Sequence, residues 1–401
     1  MVMKKIAATM GLAAAASTGA AADFDLSGSL GAENRLFFEG PAIPGQLQTY
    51  QGSLELELDA RWSLDGGKWD IVAVPYARLD GRDTGRTHFD MREAYVRFNG
   101  DSVSLRAGLG RVFWGVAESV HLVDIINQSD SVEDIDNEDK LGQPMIEISL
   151  QQDWGLLTGY ILPAFRKRTF PGVDGRLGFP LPIDNDLARF DQGADDSADV
   201  DFALRYSHYF GDWDVGLSVF RGASREPRFI LDAGAGAIAP FYDDITQYGA
   251  DIQYTNEAWL WKLEAIIRDT PFETFAAAVG GVEYSFYGIT ESGADLGIIA
   301  EFQYDGRSHN PLIAPFTVAD NDVMTGLRYS ANDSADSSVL LGVVTDIEDA
   351  SMSGVIEATT RFGDNWIGEI EGRFFMNVDR DNTLFAFKDD SHVMLRLTRY
   401  F

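Results

Sequence analysis

The chain has 401 residues and a formal net charge of −31, from 63 acidic and 32 basic side chains. This acidic excess argues against nucleic acid and anionic membrane surfaces as partners. The absence of cysteine excludes disulfide scaffolds, thiolate zinc sites and cysteine nucleophiles. Forty glycines and 12% aromatic residues, with turn signals between short alternating segments, favour an all-β protein.

Residues 1–22 have the features of a secretory signal peptide. Lys4 and Lys5 precede an uncharged apolar run at 6–16, and the small residues that end the segment form an A-x-A-type cleavage site. Cleavage would leave 23–401 as the mature chain and, with the loss of two positive charges, change the net charge from −31 to −33. No later window of about 18 residues is apolar and uncharged, so we predict no membrane-spanning helix.

Alternation of apolar and polar residues predicts eighteen strands, with sixteen as the alternative number. Leu54 and Leu56 alternate with Glu55 and Glu57, for example, as in a strand with one apolar face. The predicted strands are 24–38, 49–64, 69–79, 89–99, 102–113, 143–152, 155–163, 199–210, 213–222, 244–255, 258–269, 274–287, 294–305, 322–331, 337–346, 351–362, 366–376 and 391–401.

The connections between these strands alternate between short turns and longer loops, notably 164–198 and 223–243. This asymmetry is typical of a transmembrane antiparallel up-and-down β-barrel with short periplasmic turns and long extracellular loops. A soluble sandwich would show the same alternation along each strand. Aromatic residues near strand ends, such as Trp259 and Trp261, favour the membrane barrel because they fit an interfacial girdle. We therefore predict location in the bacterial outer membrane.

The last predicted strand places Val393, Leu395 and Leu397 on one face and ends at Phe401. A terminal strand that ends in Phe resembles the closing strand of bacterial outer-membrane barrels, whose ending helps the assembly machinery recognise the chain. Such strands usually carry an aromatic residue where this chain has Arg399. We expect this strand to pair with the first one, since closure removes the open sheet edge.

The segment after the fifth predicted strand is expected to fold into the barrel. Gly108 and Gly110 share a face with Arg106, which we assign to the lumen, and their missing side chains leave room for another segment against the wall. Residues 116–127 are too apolar to favour free solvent. We therefore predict that 115–142 folds inward and narrows the pore; the alternative is an external loop packed on its neighbours.

Trp114-Gly115, followed by Asp124-x-x-Asn127, resembles a motif of a large and mostly uncharacterised family of Gram-negative porin-like outer-membrane proteins. The resemblance extends more loosely to alginate-export-type barrels. It implies that Trp114, Gly115, Asp124 and Asn127 form a structural knot at the pore constriction.

Charged residues opposite the apolar face of the predicted strands are expected to line the pore. Opposed acidic and basic side chains would create a transverse field there, and the acidic excess predicts a preference for cations. The predicted pore-lining residues are Glu55, Glu57, Asp59, Arg61, Glu93, Arg97, Arg106, Lys262, Glu264, Glu301, Arg328, Glu357, Arg361, Glu369, Glu371 and Arg373.

Asp134, Asp136 and Glu138 alternate in an acidic stretch and offer hard oxygen ligands that could hold Ca²⁺. The stretch lacks the glycine that an EF-hand loop needs at its sixth position, so a solvated acidic loop is the favoured interpretation. The chain has five histidines and no H-E-x-x-H, G-x-S-x-G or P-loop motif. We predict no enzymatic activity and no cofactor.

The favoured function is a channel for passive passage of small polar solutes. A partner-dependent export or lipophile-transport barrel in an envelope complex is the alternative, and an adhesin or scaffold acting through 164–198 and 223–243 is a third hypothesis. Expected partners are outer-membrane lipid, lipopolysaccharide, the barrel-assembly machinery and small polar solutes, with no nucleic acid. Homo-oligomerisation, and acidity as an adaptation to salt, are left open.

Overall fold

The computed structural model describes residues 23–191 and 200–401. The predicted signal peptide, 1–22, lies outside the described residues. In the part of the chain that is described, no helix is long and apolar enough to cross a membrane.

Eighteen of the described strands form one closed sheet, and three form a small separate sheet. The strands are β1 (Asp23–Phe37), β2 (Tyr50–Leu64), β3 (Trp69–Asp80), β4 (His88–Asn99), β5 (Val103–Gly110), β6 (Gln143–Gln152), β7 (Gly155–Leu162), β8 (Arg189–Phe190), β9 (Asp201–Phe210), β10 (Trp213–Ala223), β11 (Arg228–Asp232), β12 (Ala237–Tyr242), β13 (Asp244–Asn256), β14 (Trp259–Asp269), β15 (Thr274–Phe286), β16 (Asp295–Asp305), β17 (Asn321–Ser330), β18 (Ser338–Asp346), β19 (Met352–Phe362), β20 (Trp366–Met376) and β21 (His392–Tyr400). Two short 3₁₀ helices span Asn185–Leu187 and Thr383–Phe387.

The barrel closes where the last strand meets the first. Each barrel strand pairs antiparallel with the next barrel strand along the chain, and β21 pairs with β1 from Ser29 opposite Tyr400 to Phe37 opposite His392. Beyond β21, Gly28 and Phe401 exchange backbone hydrogen bonds of 3.0 Å in both directions. The closed ring has no free edge, and the predicted eighteen-stranded antiparallel barrel is confirmed.

The two faces of the barrel wall differ as the alternation predicts. On β14, Trp259, Trp261 and Leu263 are 44%, 50% and 41% exposed on the outer face, whereas Glu264 on the inner face is fully buried. The same outward exposure of large apolar side chains recurs on β2 with Leu54. An apolar outside and a charged inside are what a membrane-spanning barrel requires.

Strand β5 ends three residues before the prediction of 102–113. The amide of Arg111 donates to Glu93 Oε1 (3.2 Å), and the amide of Val112 donates to Asn127 Oδ1 (2.9 Å). Because side chains rather than a neighbouring strand take these amides, the chain leaves the wall here.

A small three-stranded sheet forms in the long connections, where the sequence analysis predicted loops. Strands β11 and β12 form a hairpin, and the two residues of β8 pair with β12 in parallel. Phe190 of β8 and Tyr242 of β12 pack with each other and with Phe165. A two-residue strand has no periodicity, and its partner is remote in sequence, so local patterning carried no signal for it.

The asymmetry of the connections holds for the longest loops but not for every one. Residues 270–273 and 347–351 lie at the long-loop end, yet they are shorter than 287–294 and 331–337 at the turn end. Strands of a closed barrel are staggered, so the rim of the barrel is uneven. The length of a connection therefore does not by itself show at which end of the barrel it lies.

Replacing Gly28 by Val should weaken barrel closure. A Cβ at this position would lie 2.9 Å from the Glu57 carbonyl oxygen, 2.8 Å from the Leu58 side chain and 2.9 Å from the Phe401 ring. Such overpacking costs about 1–3 kcal/mol. We expect G28V to lower the urea midpoint of the refolded barrel, read from the mobility of unboiled samples in gels, whereas S27V, at an exposed neighbouring position, should match the wild type.

Candidate functional site

Residues 115–142, here called the inner segment, lie inside the barrel and contact its wall on several sides. The segment bonds to β14 and β16 through its first residues and forms ion pairs with β1, β3, β4 and β20 through its later ones. These strands lie on separate sides of the closed ring. The segment therefore crosses the lumen.

Two wall carboxylates hold the start of the inner segment by its backbone. Glu264 accepts hydrogen bonds from the amides of Val116 (2.8 Å), Ala117 (3.0 Å) and Val123 (3.2 Å). Glu301, two strands away, accepts from the amides of Glu118 and Ser119, both at 2.9 Å. An ionised carboxylate satisfies several backbone donors at once, and bonds of this kind are stronger than neutral ones.

Apolar packing holds the middle of the segment against one half of the wall. Val123 and Ile126 are fully buried and belong to a cluster with Trp114 and with wall side chains such as Phe220 and Ile266. The wall members come from β6 to β15. Burying these side chains removes apolar surface from water, which contributes a stabilising free energy of about 25 cal/mol per Å² of buried surface. This packing draws the segment toward this half of the wall.

Arginines on the other side hold the later residues of the segment. Arg78, on β3, lies 2.5 Å from the Glu133 carboxylate, and Arg35, on β1, lies 3.1 Å from Asp134. Arg35 also donates to the Glu133 carbonyl oxygen (2.7 Å), and Arg86 donates to the Val132 carbonyl oxygen (2.7 Å). The arginines thus pair with the carboxylates of the segment and also donate hydrogen bonds to its backbone carbonyl oxygens.

The motif residues lie together where the segment leaves the wall. Asn127 is buried and donates to the carbonyl oxygens of Gly110 (2.9 Å) and Leu141 (2.8 Å), so it links the two ends of the segment. Asp124 accepts from the Trp114 amide (3.3 Å) and pairs with Lys140 (3.0 Å).

Gly115 has a backbone conformation that other residues rarely adopt, with φ +143°. A Cβ there would lie 2.9 Å from Glu264 Oε1 and 3.0 Å from the His121 ring. The glycine therefore lets the backbone approach the carboxylate that holds the segment.

The residues predicted to line the pore all lie on barrel strands, and they fall into three groups. Those that contact the inner segment by hydrogen bonds or ion pairs are Lys262, Glu264, Glu301, Arg328 and Arg373. Those that form ion pairs within the wall are Glu55, Asp59, Arg61, Arg106, Glu369 and Glu371. Those without an ion pair within 4.0 Å among residues 23–191 and 200–401 are Glu57, Glu93, Arg97, Glu357 and Arg361.

Sequence reasoning missed most of the buried charges that anchor the segment. On β3, Arg78 follows Val74 and Tyr76 on the inner face, which therefore looked apolar. The buried Arg92 was missed because the register between β3 and β4 shifts at Pro75. Proline cannot donate to the ladder, and the resulting bulge breaks the alternation.

The predicted calcium ligands do not come together as a set. Asp134 and Asp136 lie near Glu371, with ligand atoms within 4.8 Å, and Glu138 is not part of this group. Arg373 pairs with Asp134 (3.2 Å) and Asp136 (2.5 Å). Burial alone would raise the pKa of Asp134, but Arg373 and Arg35 hold it at about 2. These arginines supply the positive charge that balances the acids.

The inner segment leaves a cavity of about 480 Å³ beside it. The cavity is bounded by the segment, by the inner faces of β17 to β20 and by the loops that carry Arg168 and Arg225. The lumen is thus divided between a packed half and this cavity.

The fold is similar to two solved structures. One is a BenF-like porin from Pseudomonas fluorescens Pf-5, with a TM-score of 0.54 and 12% identity, covering 95% of this chain and 98% of that porin. The other is OccAB1 from Acinetobacter baumannii, with a TM-score of 0.54 and 6% identity, covering 95% of this chain and 96% of OccAB1. No protein-family model and no curated protein match the chain. At these identities the similarity concerns the fold, which is porin-like over nearly the whole chain.

Replacing Glu264 by Gln should loosen the inner segment. The Gln side chain has one accepting oxygen, and its NH₂ group is a donor that would face the backbone amides of Val116, Ala117 and Val123. Some of these buried backbone donors would therefore lose their acceptor. We expect the free energy of unfolding to fall by about 2–3 kcal/mol, measured by urea titration with tryptophan fluorescence, and the segment to become sensitive to protease in the folded barrel. E369Q, at a more exposed carboxylate, is the matched control; equal protease resistance of E264Q and E369Q would contradict this role.

The docking of the inner segment should weaken as pH rises. Burial lowers the pKa of His121, but the Glu264 carboxylate at 3.7 Å, with Glu138 and Asp124 nearby, raises it above its ordinary value. A raised pKa in the folded state gives stabilisation that is complete below about pH 6.5 and is lost as pH rises through the raised pKa. We expect protease resistance of the segment to be greater at pH 5.5 than at pH 8.5, and H121N to reduce this difference. Asp139 acts in the same direction, because burial raises its pKa to about 7.

Proposed function

We propose that the protein is a porin-like channel of the bacterial outer membrane through which small polar solutes pass passively. The apolar outer belt of the closed barrel supports insertion into a lipid bilayer, and the charged inner wall supports a water-filled lumen. The porin-like fold supports the same proposal. The inner segment then acts as the constriction, and the sixteen predicted wall residues line the passage.

The observation that carries this proposal is the way in which the inner segment is anchored. It bonds to the wall through Glu264 and Glu301 on one side and through Arg35 and Arg78 on another. The segment therefore narrows the lumen while the cavity beside it stays open. A fixed constriction lined by both signs of charge fits selective passage of hydrated solutes.

We further propose that the channel prefers cations. Among the predicted wall residues without an ion pair within 4.0 Å in the described part of the chain, three are acidic (Glu57, Glu93 and Glu357) and two are basic (Arg97 and Arg361), and the chain as a whole carries −31. An excess of acidic charge raises the local concentration of cations.

The reversal potential of the purified channel in a planar bilayer with a KCl gradient tests this function. We expect a reversal potential with the sign of a cation-preferring channel. For the double variant E57Q/E357Q, we expect the reversal potential to shift toward zero, because two unpaired negative charges are lost. E291Q removes one charge from an exposed turn outside the barrel wall and should not shift the value.

An anion-selective sign would contradict the cation preference, and no current at all would contradict passive passage. A barrel that is closed in bilayers would favour the partner-dependent export or lipophile-transport alternative. Contacts with lipopolysaccharide and the assembly machinery, and any homo-oligomer, stay predictions.

A further inference from the structure

The cavity beside the inner segment has an apolar side that a passage for hydrated ions does not need. The inner faces of β17 to β20 contribute Met324, Leu340, Val344, Val355 and Phe375 to it. These positions face the lumen and line the cavity, whereas the apolar inner residues of β6 to β15 pack against the inner segment. A contiguous apolar surface open to water usually marks a binding site.

Phenylalanines extend this apolar side across the mouth of the cavity. Phe229 contacts Phe170, Phe179 and Phe316, with ring centroids 5.7, 5.2 and 6.5 Å apart. Phe387, 6.3 Å from Phe179 and 6.0 Å from Phe375, connects this group to the wall. The rings come from three connections, 163–188, 306–320 and 377–391, and from strands β11 and β20. The tertiary fold thus assembles them into one surface, here called the phenylalanine surface.

Two arginines, Arg168 and Arg225, also line the cavity, and each retains donor capacity that the described residues do not fill. Arg225 is 3% exposed, and its Nη2 atom has no hydrogen-bond partner within the described residues. Its Nη1 atom pairs with Asp201 (2.9 Å) and donates to the Ala223 carbonyl oxygen (2.8 Å), and its Nε atom donates to the Ile126 carbonyl oxygen (3.1 Å). Arg168 donates to Gln128 Oε1 (3.2 Å) and to the Arg225 carbonyl oxygen (3.0 Å), and it has no carboxylate within 4.0 Å in the described ranges.

The neighbouring arginines of the cavity have carboxylate partners, as Arg225 does in Asp201, and this sets Arg168 apart. Arg268 pairs with Glu226, and Arg307 lies 2.7 Å from Asp305 and 3.4 Å from Glu226. Burial lowers the pKa of Arg168 and of Arg225, whereas carboxylates raise that of Arg307 in spite of its burial. A buried guanidinium with spare donors is the group that recognises an oxyanion.

We propose that this cavity is a binding site for organic anions that have an apolar body, with the anionic group at Arg168 and Arg225 and the body against the phenylalanine surface. The inference rests on the proposed channel function and names a class of solute that the passage retains. Small inorganic anions lack the apolar contact, so the site is compatible with a cation preference for salt. The volume of about 480 Å³ is large enough for a body of two fused rings.

Current blockade of the purified full-length mature protein by 2-naphthoate tests the site. Three probes separate the contributions: 2-naphthoate has charge and body, 2-naphthamide has the body alone, and glucuronate has the charge on a polar body. We expect 2-naphthoate to block the KCl current at concentrations at least about tenfold lower than the other two, since a charge-assisted hydrogen bond and apolar burial are each worth about a factor of ten. Equal blockade by 2-naphthamide or glucuronate would overturn the proposal.

Two variants locate the site. R168Q should weaken the block by 2-naphthoate about tenfold and leave the block by 2-naphthamide unchanged. R189Q is its control, because Arg189 pairs with Asp232 in the small sheet and does not line the cavity. V344T/V355T should weaken the block by both naphthalene compounds, whereas V343T, the same change on the outer face of β18, should have no effect. A wild-type block in R168Q would overturn the proposed anion contact.

Failure of this inference can be told apart from failure of the channel function. If the barrel conducts KCl and 2-naphthoate does not block the current, the channel function is supported and the proposed binding site is overturned. For a barrel that carries no current, binding of 2-naphthoate to the detergent-solubilised protein, followed by naphthalene fluorescence, decides the inference alone. Specific binding that R168Q weakens would support it, and absence of binding would overturn it.

Discussion

The inner segment can cross the lumen only because wall side chains replace the hydrogen bonds that a strand ladder would provide. Carboxylates of Glu264 and Glu301 accept its amides near the start, and Arg35 and Arg86 donate to its carbonyl oxygens near the end. A buried backbone group without a partner costs about 1–3 kcal/mol, so an irregular segment inside a barrel needs a partner for each. The charges of the wall therefore serve structure as well as passage.

This anchoring divides the lumen into regions with different physical properties. Apolar packing around Trp114 and Ile126 closes one half, and ion pairs around Arg78 close another part. The remaining cavity has apolar residues of β17 to β20 on one side, and its charged lining includes Arg168 and Arg225 together with carboxylates such as Glu226 and Glu357. Solutes that pass through it meet both kinds of surface, which is the basis for the proposed retention of amphipathic anions.

The barrel itself could be predicted from the sequence because its signal is local. The outer face meets an apolar environment along the whole strand, so apolar residues recur at every second position, and Trp259, Trp261 and Leu263 lie as that alternation predicts. The signal failed where the geometry departs from regular pairing. The bulge opposite Pro75 hid Arg92, and β8 is too short to show any period.

The site depended on contacts that no local pattern encodes. Glu264 and Glu301 could be assigned to the inner face from alternation, but their partners lie more than a hundred residues away in the sequence. Arg168, Arg225 and most of the phenylalanine surface come from the long connections between barrel strands, and only folding brings them to one cavity. The pattern of residues was enough to indicate about eighteen barrel strands and, where the pairing is regular, the residues that face inward, because both follow from repeating local geometry. The tertiary structure alone decided which inward charges meet and which remain uncompensated, because those pairings depend on where an irregular segment lies inside a closed ring.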